Sequence, residues 1–512
     1  MSTASVSFKK FPRHANNPKR FAFTLGLLVI FFFTTLFILS PSLRGSDQYW
    51  YVGDIERVVL QDGLYKSNSV FPASMPNDIN ELPRPWVQNK PVSYIVLMLA
   101  YITRNGHLAW LIFNTICLFA SALMTARILK VTPRKLLLFI GIFTFFPLNF
   151  YLASQALPEI FIMFLIAVIH YLLLSARLNV VNMLLLGFVT GLLISQRPNY
   201  LLLIPIVPIL LYIIQKRSSL LFSAMFLIVA CGLTFCSTLM FDEHLVKSPT
   251  MLDTVINNVP GETNMGSFLY AYDNSNIGFV DLVQIIFKKF IGAMVIQFEI
   301  LGISSLMFYL INVMLIAIPV LFFLSKMKRP SNTTALVFIG IHFLTVILFY
   351  NQYRYAAAII PSLFILNIRM IRSGKWVFIN NVTTGVVVFV CFAVMSFGIG
   401  YQVRNDAIAD DRINSEIKQL AAKHQFKSLM CEWNNGGCLS VGYSLSPKTV
   451  FYFPKDYSAQ EWTASAKKLN ATHGIVYSKS GVYNKLKPYI INKQEIQNSD
   501  IVFFEVDLSK LN

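Results

Sequence analysis

The sequence predicts an all-α polytopic membrane protein with about eleven transmembrane helices, followed by a C-terminal α/β domain. Of the 512 residues, 55% are hydrophobic and 13% are charged, and the mean hydropathy is +0.57. A single soluble core could not bury this much apolar surface. Apolar runs of roughly 17 to 25 residues, long enough to cross the hydrocarbon of a bilayer, recur up to residue 401.

The N-terminus predicts a cytoplasmic basic segment, residues 1–20, and a first transmembrane helix over residues 21–40. No acidic residue precedes the apolar run, and the basic residues are Lys9, Lys10, Arg13, Lys19 and Arg20. The run is too long for a signal peptide and lacks a small-residue cleavage site. We therefore expect a retained anchor with its N-terminus inside.

Ten further apolar runs complete a predicted transmembrane domain over residues 21–401. They cover residues 108–129, 135–151, 157–176, 180–196, 200–214, 220–241, 302–324, 334–350, 355–368 and 376–401. The shorter run at 91–103 predicts a helix that lies on the outer membrane surface. The connections at 41–91 and 242–290 are predicted to be periplasmic loops.

The distribution of charge supports this topology. The predicted inner segments hold about 18 of the 43 Lys and Arg residues and no Asp or Glu, so all 25 acidic residues fall outside. The positive-inside rule predicts such an asymmetry. Because the net charge of +18 is spread over inner loops and forms no single basic face, we expect no nucleic-acid partner.

Residues 402–512 predict a soluble periplasmic α/β domain. Cys431 and Cys438 flank the sequence EWNNGG, and this arrangement in an oxidising compartment predicts a disulfide. Two thiols are too few ligands to predict a zinc site. Sequence patterns predict helices at 406–426 and 458–469 and strands at 449–453, 474–478 and 501–506.

A cluster of acids follows the first apolar run, in SDQYWYVGDIERVVLQDGLY, residues 46–65. If this stretch is helical, Asp47, Tyr51, Asp54 and Val58 share one face, and both carboxylates can point at one site beside the membrane. The chain contains no P-loop, no Gly-rich fingerprint and no HExxH. This argues against an ATP-driven pump and against a cytoplasmic nucleotide-sugar enzyme.

Five segments resemble motifs of the GT-C class of membrane glycosyltransferases, which use polyprenyl-phosphate-linked sugars. They are DQYWYVGDIERVVLQDGLY, NKPVSYIVLMLAYITRNGHLAW, SQALPEIFIMFL, SQRPNYLLLIP and QYRYAAAIIPSLFIL. In order and spacing they are similar to dolichyl-phosphate-mannose-protein mannosyltransferases and to bacterial O-antigen-modifying glucosyltransferases. Two positions depart from the pattern, because Gln48 replaces a second acid and Val92 replaces the second Pro of a Lys-Pro-Pro motif.

The resemblance implies an inverting transfer in which an acceptor hydroxyl attacks C1 of a sugar linked to a polyprenyl phosphate. Asp47 corresponds to the base, and Asp54 is an alternative base or orients the acceptor. The implied substrate-binding residues are Tyr51, Glu159, Arg197, Arg354, Lys288 and Lys289. Each of the charged residues also has a structural alternative to substrate binding. Glu159 can interact with the helix dipole, the arginines can snorkel to the lipid headgroups, and the lysines can contact anionic lipid.

The resulting hypothesis is a hexosyltransferase of a bacterial inner membrane, acting on the periplasmic face. The expected donor is an undecaprenyl-phosphate-linked sugar, and the first candidate acceptor is lipopolysaccharide O-antigen, with another polysaccharide or lipid as an alternative. The sequence leaves open whether the reaction uses a divalent cation. It also leaves open whether a donor-synthesising enzyme and a flippase are partners. The alternative functions are a polysaccharide polymerase or ligase and a lipid-linked sugar transporter or flippase.

Overall fold

A computed structural model gives the fold of the protein and describes part of the chain. The described residues are 18–43, 48, 51–53, 55–56, 59, 69–70, 91–175, 179–215, 220–241, 318–324, 330–348, 357–372, 382–424, 426, 428–433, 441, 445, 449–454, 459–468, 470–497 and 499–510.

Most of these residues are α-helical. The helices are α1 (Pro18–Leu39), α2 (Pro91–Thr103), α3 (Gly106–Ile128), α4 (Pro133–Thr144), α5 (Pro147–Ala153), α6 (Glu159–Leu174), α7 (Val180–Gln196), α8 (Leu203–Gln215), α9 (Leu220–Phe241), α10 (Ile318–Leu324), α11 (Pro330–Leu348), α12 (Ile360–Arg372), α13 (Val382–Lys423), α14 (Ala459–Lys468) and α15 (Gly481–Leu486). Short 3-10 helices cover Pro198–Leu202 and Lys487–Tyr489. The described residues between 48 and 59 are also helical, which is the condition under which Asp47 and Asp54 would share a face.

Three helices of the described chain are long and apolar enough to cross a membrane by themselves, namely α1, α3 and α13. The bent pair formed by α4 and α5 would count as a fourth span. Helices α2, α7 and α9 begin and end at the residues predicted from the sequence. The count of eleven spans stays a prediction.

The predicted span at 135–151 is broken into α4 and α5, which are bent by 64°. Pro147 begins α5, and a proline cannot continue the backbone hydrogen bonds of a preceding helix. Two side chains bind carbonyls at this break. Ser396 Oγ donates to the carbonyl oxygen of Phe145 at 2.8 Å, and Asn149 Nδ2 donates to that of Phe143 at 2.8 Å. The sequence prediction of one continuous span was therefore wrong here.

Helix α13 is continuous where the sequence predicted two helices, 376–401 and 406–426. It has 42 residues, so at 1.5 Å per residue it is about 63 Å long, twice the thickness of a bilayer's hydrocarbon. Its first half is apolar and its second half is rich in charged residues. The predicted domain boundary at residue 402 thus lies within one helix.

The described residues form one six-stranded sheet, and five of its strands come from the C-terminal part of the chain. Its strands are β1 (Ser69–Val70), β2 (Ser428–Trp433), β3 (Thr449–Pro454), β4 (His473–Tyr477), β5 (Ile490–Glu495) and β6 (Ile501–Val506), in the order β1-β3-β2-β4-β6-β5. The pairs β1–β3, β3–β2 and β2–β4 are parallel, and β6 pairs antiparallel with both β4 and β5. Strand β1 comes from the predicted loop 41–91, so this loop is part of the sheet.

The two faces of the sheet belong to different cores because successive strand residues point to opposite sides. Phe503 belongs to the large core that includes Ile417 and Leu420 of α13. Phe504 belongs to a smaller core with Trp462 of α14. The sheet is therefore packed between α13 on one side and α14 on the other.

Helices α7 and α9 pack closely through a Gly-x-x-x-Gly pattern. A Cβ atom at Gly187 would lie 2.9 Å from the carbonyl oxygen of Phe226, and a Cβ atom at Gly191 would lie 3.0 Å from that of Ala230. Small residues allow two apolar helices to approach this closely, as in many membrane helix pairs.

We predict that Gly187→Ala lowers the melting temperature of the detergent-solubilised protein, because the added methyl group must displace the backbone of α9. Overpacking of this kind costs about 1–3 kcal/mol. Thermal unfolding measures the effect, with Gly232→Ala on α9 as the control, since a Cβ atom there has no neighbour within 4 Å. Equal melting temperatures for the two variants would contradict the close packing.

Candidate functional site

Glu159 is the first residue of α6, and its side chain is buried, with 2% of its surface exposed. Its Oε1 atom accepts a hydrogen bond from Nη2 of Arg197 at 2.7 Å. A buried carboxylate needs both a partner charge and hydrogen bonds, and the N-terminal end of a helix also favours negative charge. The ion pair and the helix terminus together explain why this acid is stable in an apolar environment.

Arg197 occupies the end of α7, where Pro198 starts a 3-10 helix. Its backbone is extended, with φ −145° and ψ 97°, because the residue before a proline avoids the helical region. The carbonyl oxygen of Arg197 accepts a hydrogen bond from the backbone N–H of Tyr200 at 3.0 Å, and Tyr200 is buried. The side chain of Arg197 is 20% exposed, whereas that of Glu159 is almost inaccessible.

Two glutamine side chains connect this ion pair to other predicted motifs. Oε1 of Gln48 accepts a hydrogen bond from the backbone N–H of Ala156 at 3.2 Å, three residues before Glu159. Oε1 of Gln196 accepts one from the backbone N–H of Val92 at 3.3 Å, at the start of α2. The acid-rich segment, the start of α6, the end of α7 and the start of α2 therefore meet at one end of the helix bundle.

Asn114 of α3 holds the irregular backbone between α5 and α6. Its Nδ2 atom donates to the carbonyl oxygen of Gln155 at 2.7 Å and lies 3.4 Å from that of Ala153. Irregular backbone in an apolar environment requires such donors, because water is not available to bind its carbonyls. Asn114 therefore helps to fix the backbone conformation of the residues that precede Glu159.

The helical residues that follow Gln48 dock on the beginning of α3. Oε1 of Glu56 accepts a hydrogen bond from the backbone N–H of Gly106 at 2.9 Å, and Nη1 of Arg104 donates to the carbonyl oxygen of Val59 at 3.3 Å. Tyr51 is buried and makes an edge contact with Trp110, with the ring centroids 5.6 Å apart. The segment that carries the candidate base is thus held against α3.

The structure brings together two of the predicted site residues, Glu159 and Arg197, and places a third, Tyr51, against Trp110 of α3. Asp47, Asp54, Arg354, Lys288, Lys289 and Cys438 lie outside the described residues. Cys431 is disulfide-bonded. Its pairing with Cys438 stays a prediction.

Gln48, Glu56, Asn114 and Gln196 hold the site together, and the sequence did not indicate this role. The one signal was the position of Gln48 within the acid motif, next to Asp47. The bonds of these side chains go to backbone groups that are distant in the sequence, and no local pattern predicts such partners.

The arrangement suits the binding of an anion. A guanidinium group has several donors in one plane, and it can bind a carboxylate along one edge and a phosphate along another. Glu159 is buried and the Arg197 side chain is partly exposed, so the carboxylate can orient a guanidinium that belongs to a partly accessible side chain.

No family model matches the sequence, and no curated protein matches it. Solved structures do match. ArnT from Cupriavidus metallidurans in the apo state aligns with a TM-score of 0.55 at 11% identity, over 95% of this chain and 99% of ArnT. ArnT bound to undecaprenyl phosphate aligns with a TM-score of 0.54 at 12% identity, over 96% and 99% of the two chains.

A third match is the archaeal oligosaccharyltransferase AglB from Archaeoglobus fulgidus, in complex with an inhibitory peptide and a dolichol-phosphate. It aligns with a TM-score of 0.51 at 10% identity, over 90% of this chain and 70% of AglB. ArnT and AglB are GT-C glycosyltransferases. This chain has the GT-C fold. The GT-C fold predicted from the five sequence motifs is confirmed.

We predict that Glu159→Gln and Arg197→Gln each lower the melting temperature in detergent, because either change leaves a charge without its partner in a buried site. Breaking a buried pair typically costs about 3–5 kcal/mol. Thermal unfolding of both single variants and the double variant measures the coupling, and the double variant should lose less than the sum of the two. Lys479→Gln, at the exposed Lys479–Asp500 pair, is the control and should not change the melting temperature. Additive losses would show that the pair is not coupled.

Proposed function

We propose that this protein is an inverting glycosyltransferase that moves a hexose from undecaprenyl phosphate to lipopolysaccharide O-antigen. The observation that carries the proposal is the similarity to ArnT bound to undecaprenyl phosphate, which extends over 96% of this chain. The Glu159–Arg197 pair supports it, because it provides an oriented guanidinium beside the segment that contains the acid motif. The proposed location is a bacterial inner membrane, with the site and the C-terminal sheet on the periplasmic side.

In the proposed mechanism the acceptor hydroxyl attacks C1 of the sugar from the face opposite the phosphate. The C1–O bond to the phosphate breaks as the new glycosidic bond forms, so the configuration at C1 inverts. The hydroxyl proton moves to a carboxylate, for which Asp47 is the proposed base and Asp54 the alternative. Polyprenyl phosphate leaves as an anion, so it needs no proton from the enzyme.

Cationic side chains are proposed to stabilise the phosphate as negative charge develops on it. Arg197 is the candidate whose position the structure describes, and Arg354, Lys288 and Lys289 are the further candidates. Preorganised cations are effective because they do not have to reorient during the reaction. Glu159 positions Arg197 and does not itself touch the substrate in this proposal.

The acceptor is proposed by analogy of fold and motif. A periplasmic acceptor is consistent with the predicted topology, in which every acidic residue lies on the outer side. Of the two groups of enzymes that the motif pattern resembles, the bacterial glucosyltransferases modify O-antigen, and this resemblance supports O-antigen as the acceptor.

We predict that cells expressing the protein add a hexose to their O-antigen, and that Asp47→Asn abolishes this addition. Removal of a general base typically lowers the rate by about 10²–10⁴-fold. Mass and linkage analysis of the polysaccharide, at matched membrane levels of protein, measures the modification. The control is Asp500→Asn, which changes an exposed aspartate near β6 and should retain the modification.

Each alternative has its own outcome in this experiment. An unchanged polysaccharide in wild-type cells would exclude O-antigen as the acceptor. A modification that survives Asp47→Asn would assign the base to Asp54 or another group. Release of undecaprenyl phosphate from a purified undecaprenyl-phosphate hexose tests donor use independently of the acceptor, and its absence would contradict glycosyl transfer.

A further inference from the structure

A cluster of potential metal ligands lies where α13 meets the sheet, and none of its members belongs to the proposed active site. His424 follows the last residue of α13, His473 is the first residue of β4, and Glu505 lies in β6. His473 and Glu505 face each other as partners in the antiparallel ladder between β4 and β6. Nearest ligand atoms of the three residues all lie within 4.8 Å of one another.

These distances suit a small divalent cation. Zinc binds imidazole nitrogen and carboxylate oxygen at about 2.0–2.2 Å, so ligand atoms in a tetrahedral site are roughly 3.4 Å apart. Ligand atoms that lie within 4.8 Å of one another would have to approach by about 1.4 Å at most to reach this separation. His424 and Glu505 are partly exposed, which leaves room for water as a fourth ligand.

Two neighbouring residues orient the ligands as outer partners do in metal sites. Oγ1 of Thr472 lies 2.8 Å from Nδ1 of His473. If the proton is on Nδ1, the ring donates this hydrogen bond and Nε2 keeps its lone pair for a metal. Nδ2 of Asn492 donates to Oε2 of Glu505 at 2.8 Å, so Oε1 is the oxygen suited to a metal.

Aromatic rings restrict the motion of both imidazoles. Phe426 stacks on His473 with 4.7 Å between ring centroids, and Phe503 lies 5.3 Å from His424 and 5.6 Å from His473. The apolar side of the cluster lowers the local dielectric, which strengthens the attraction between a cation and the Glu505 carboxylate.

We propose that His424, His473 and Glu505 bind one Zn²⁺-class ion, which joins the end of α13 to strands β4 and β6. Two imidazoles and one carboxylate favour zinc over magnesium or calcium, since the latter two prefer sites made of oxygen ligands only. The role is structural, because the ion fixes strands β4 and β6 to the C-terminal end of α13, the helix that precedes β2 in the chain. The proposal does not depend on the proposed glycosyl transfer.

Zinc titration of the full-length protein tests this site. The protein is purified in detergent without a polyhistidine tag, treated with EDTA and desalted, and ZnCl₂ alone is added in a calorimeter. We expect one zinc ion per chain and a rise in melting temperature with zinc concentration, as mass action requires for a ligand of the folded state. Failure of the wild type to bind zinc would overturn the proposal.

Variants locate the site. His424→Asn and Glu505→Gln should weaken zinc binding by at least about tenfold and abolish the zinc-dependent rise in melting temperature. Glu505→Gln preserves the shape of the side chain and an oxygen for Asn492, so its melting temperature in EDTA should match that of the wild type. The control is Glu495→Gln, which changes an exposed glutamate in β5 and should bind zinc like the wild type. Variants that keep wild-type affinity would place the ion elsewhere and overturn the proposal.

Discussion

A buried carboxylate at the start of α6 sets the main constraint on this end of the helix bundle. The charge of Glu159 is tolerated because Arg197 comes within 2.7 Å of it, and Arg197 can do so because Pro198 ends the helical run of α7. The start of α6 and the end of α7 must therefore remain close together. A shift of either helix would separate two charges in an environment that cannot solvate them.

Hydrogen bonds from amide side chains extend this constraint to neighbouring segments. Gln48, Gln196 and Asn114 each bind a backbone group that has no partner in a regular helix, and all three are buried. Such bonds contribute modestly to stability, but their loss would leave a buried polar group unsatisfied. Under the proposed function, side chains held in this way would need little reorganisation when a substrate binds, which is the condition for electrostatic catalysis.

The bounds of a helix were predictable where an apolar run ends at a charged residue or a proline. Helix α7 ends before Arg197-Pro198, as predicted. The break at Phe145 was missed because Pro147 lies within an apolar run whose hydropathy does not change. The continuity of α13 was missed because a change in composition does not interrupt helical hydrogen bonding. Glu159 and Arg197 were both candidates, but a contact between residues 38 positions apart leaves no local pattern.

Strand β1 has a consequence for biosynthesis. It pairs with β3, which lies about 380 residues later in the sequence, so the two strands cannot meet until the ribosome has synthesised all the helices between them. Contacts between such distant segments form late because the intervening chain must be ordered first. The early helices must therefore enter the bilayer before β1 has its partner strand. Until then the connection between α1 and α2 is held through Gln48 and Glu56, which bind the backbone before α6 and at the start of α3.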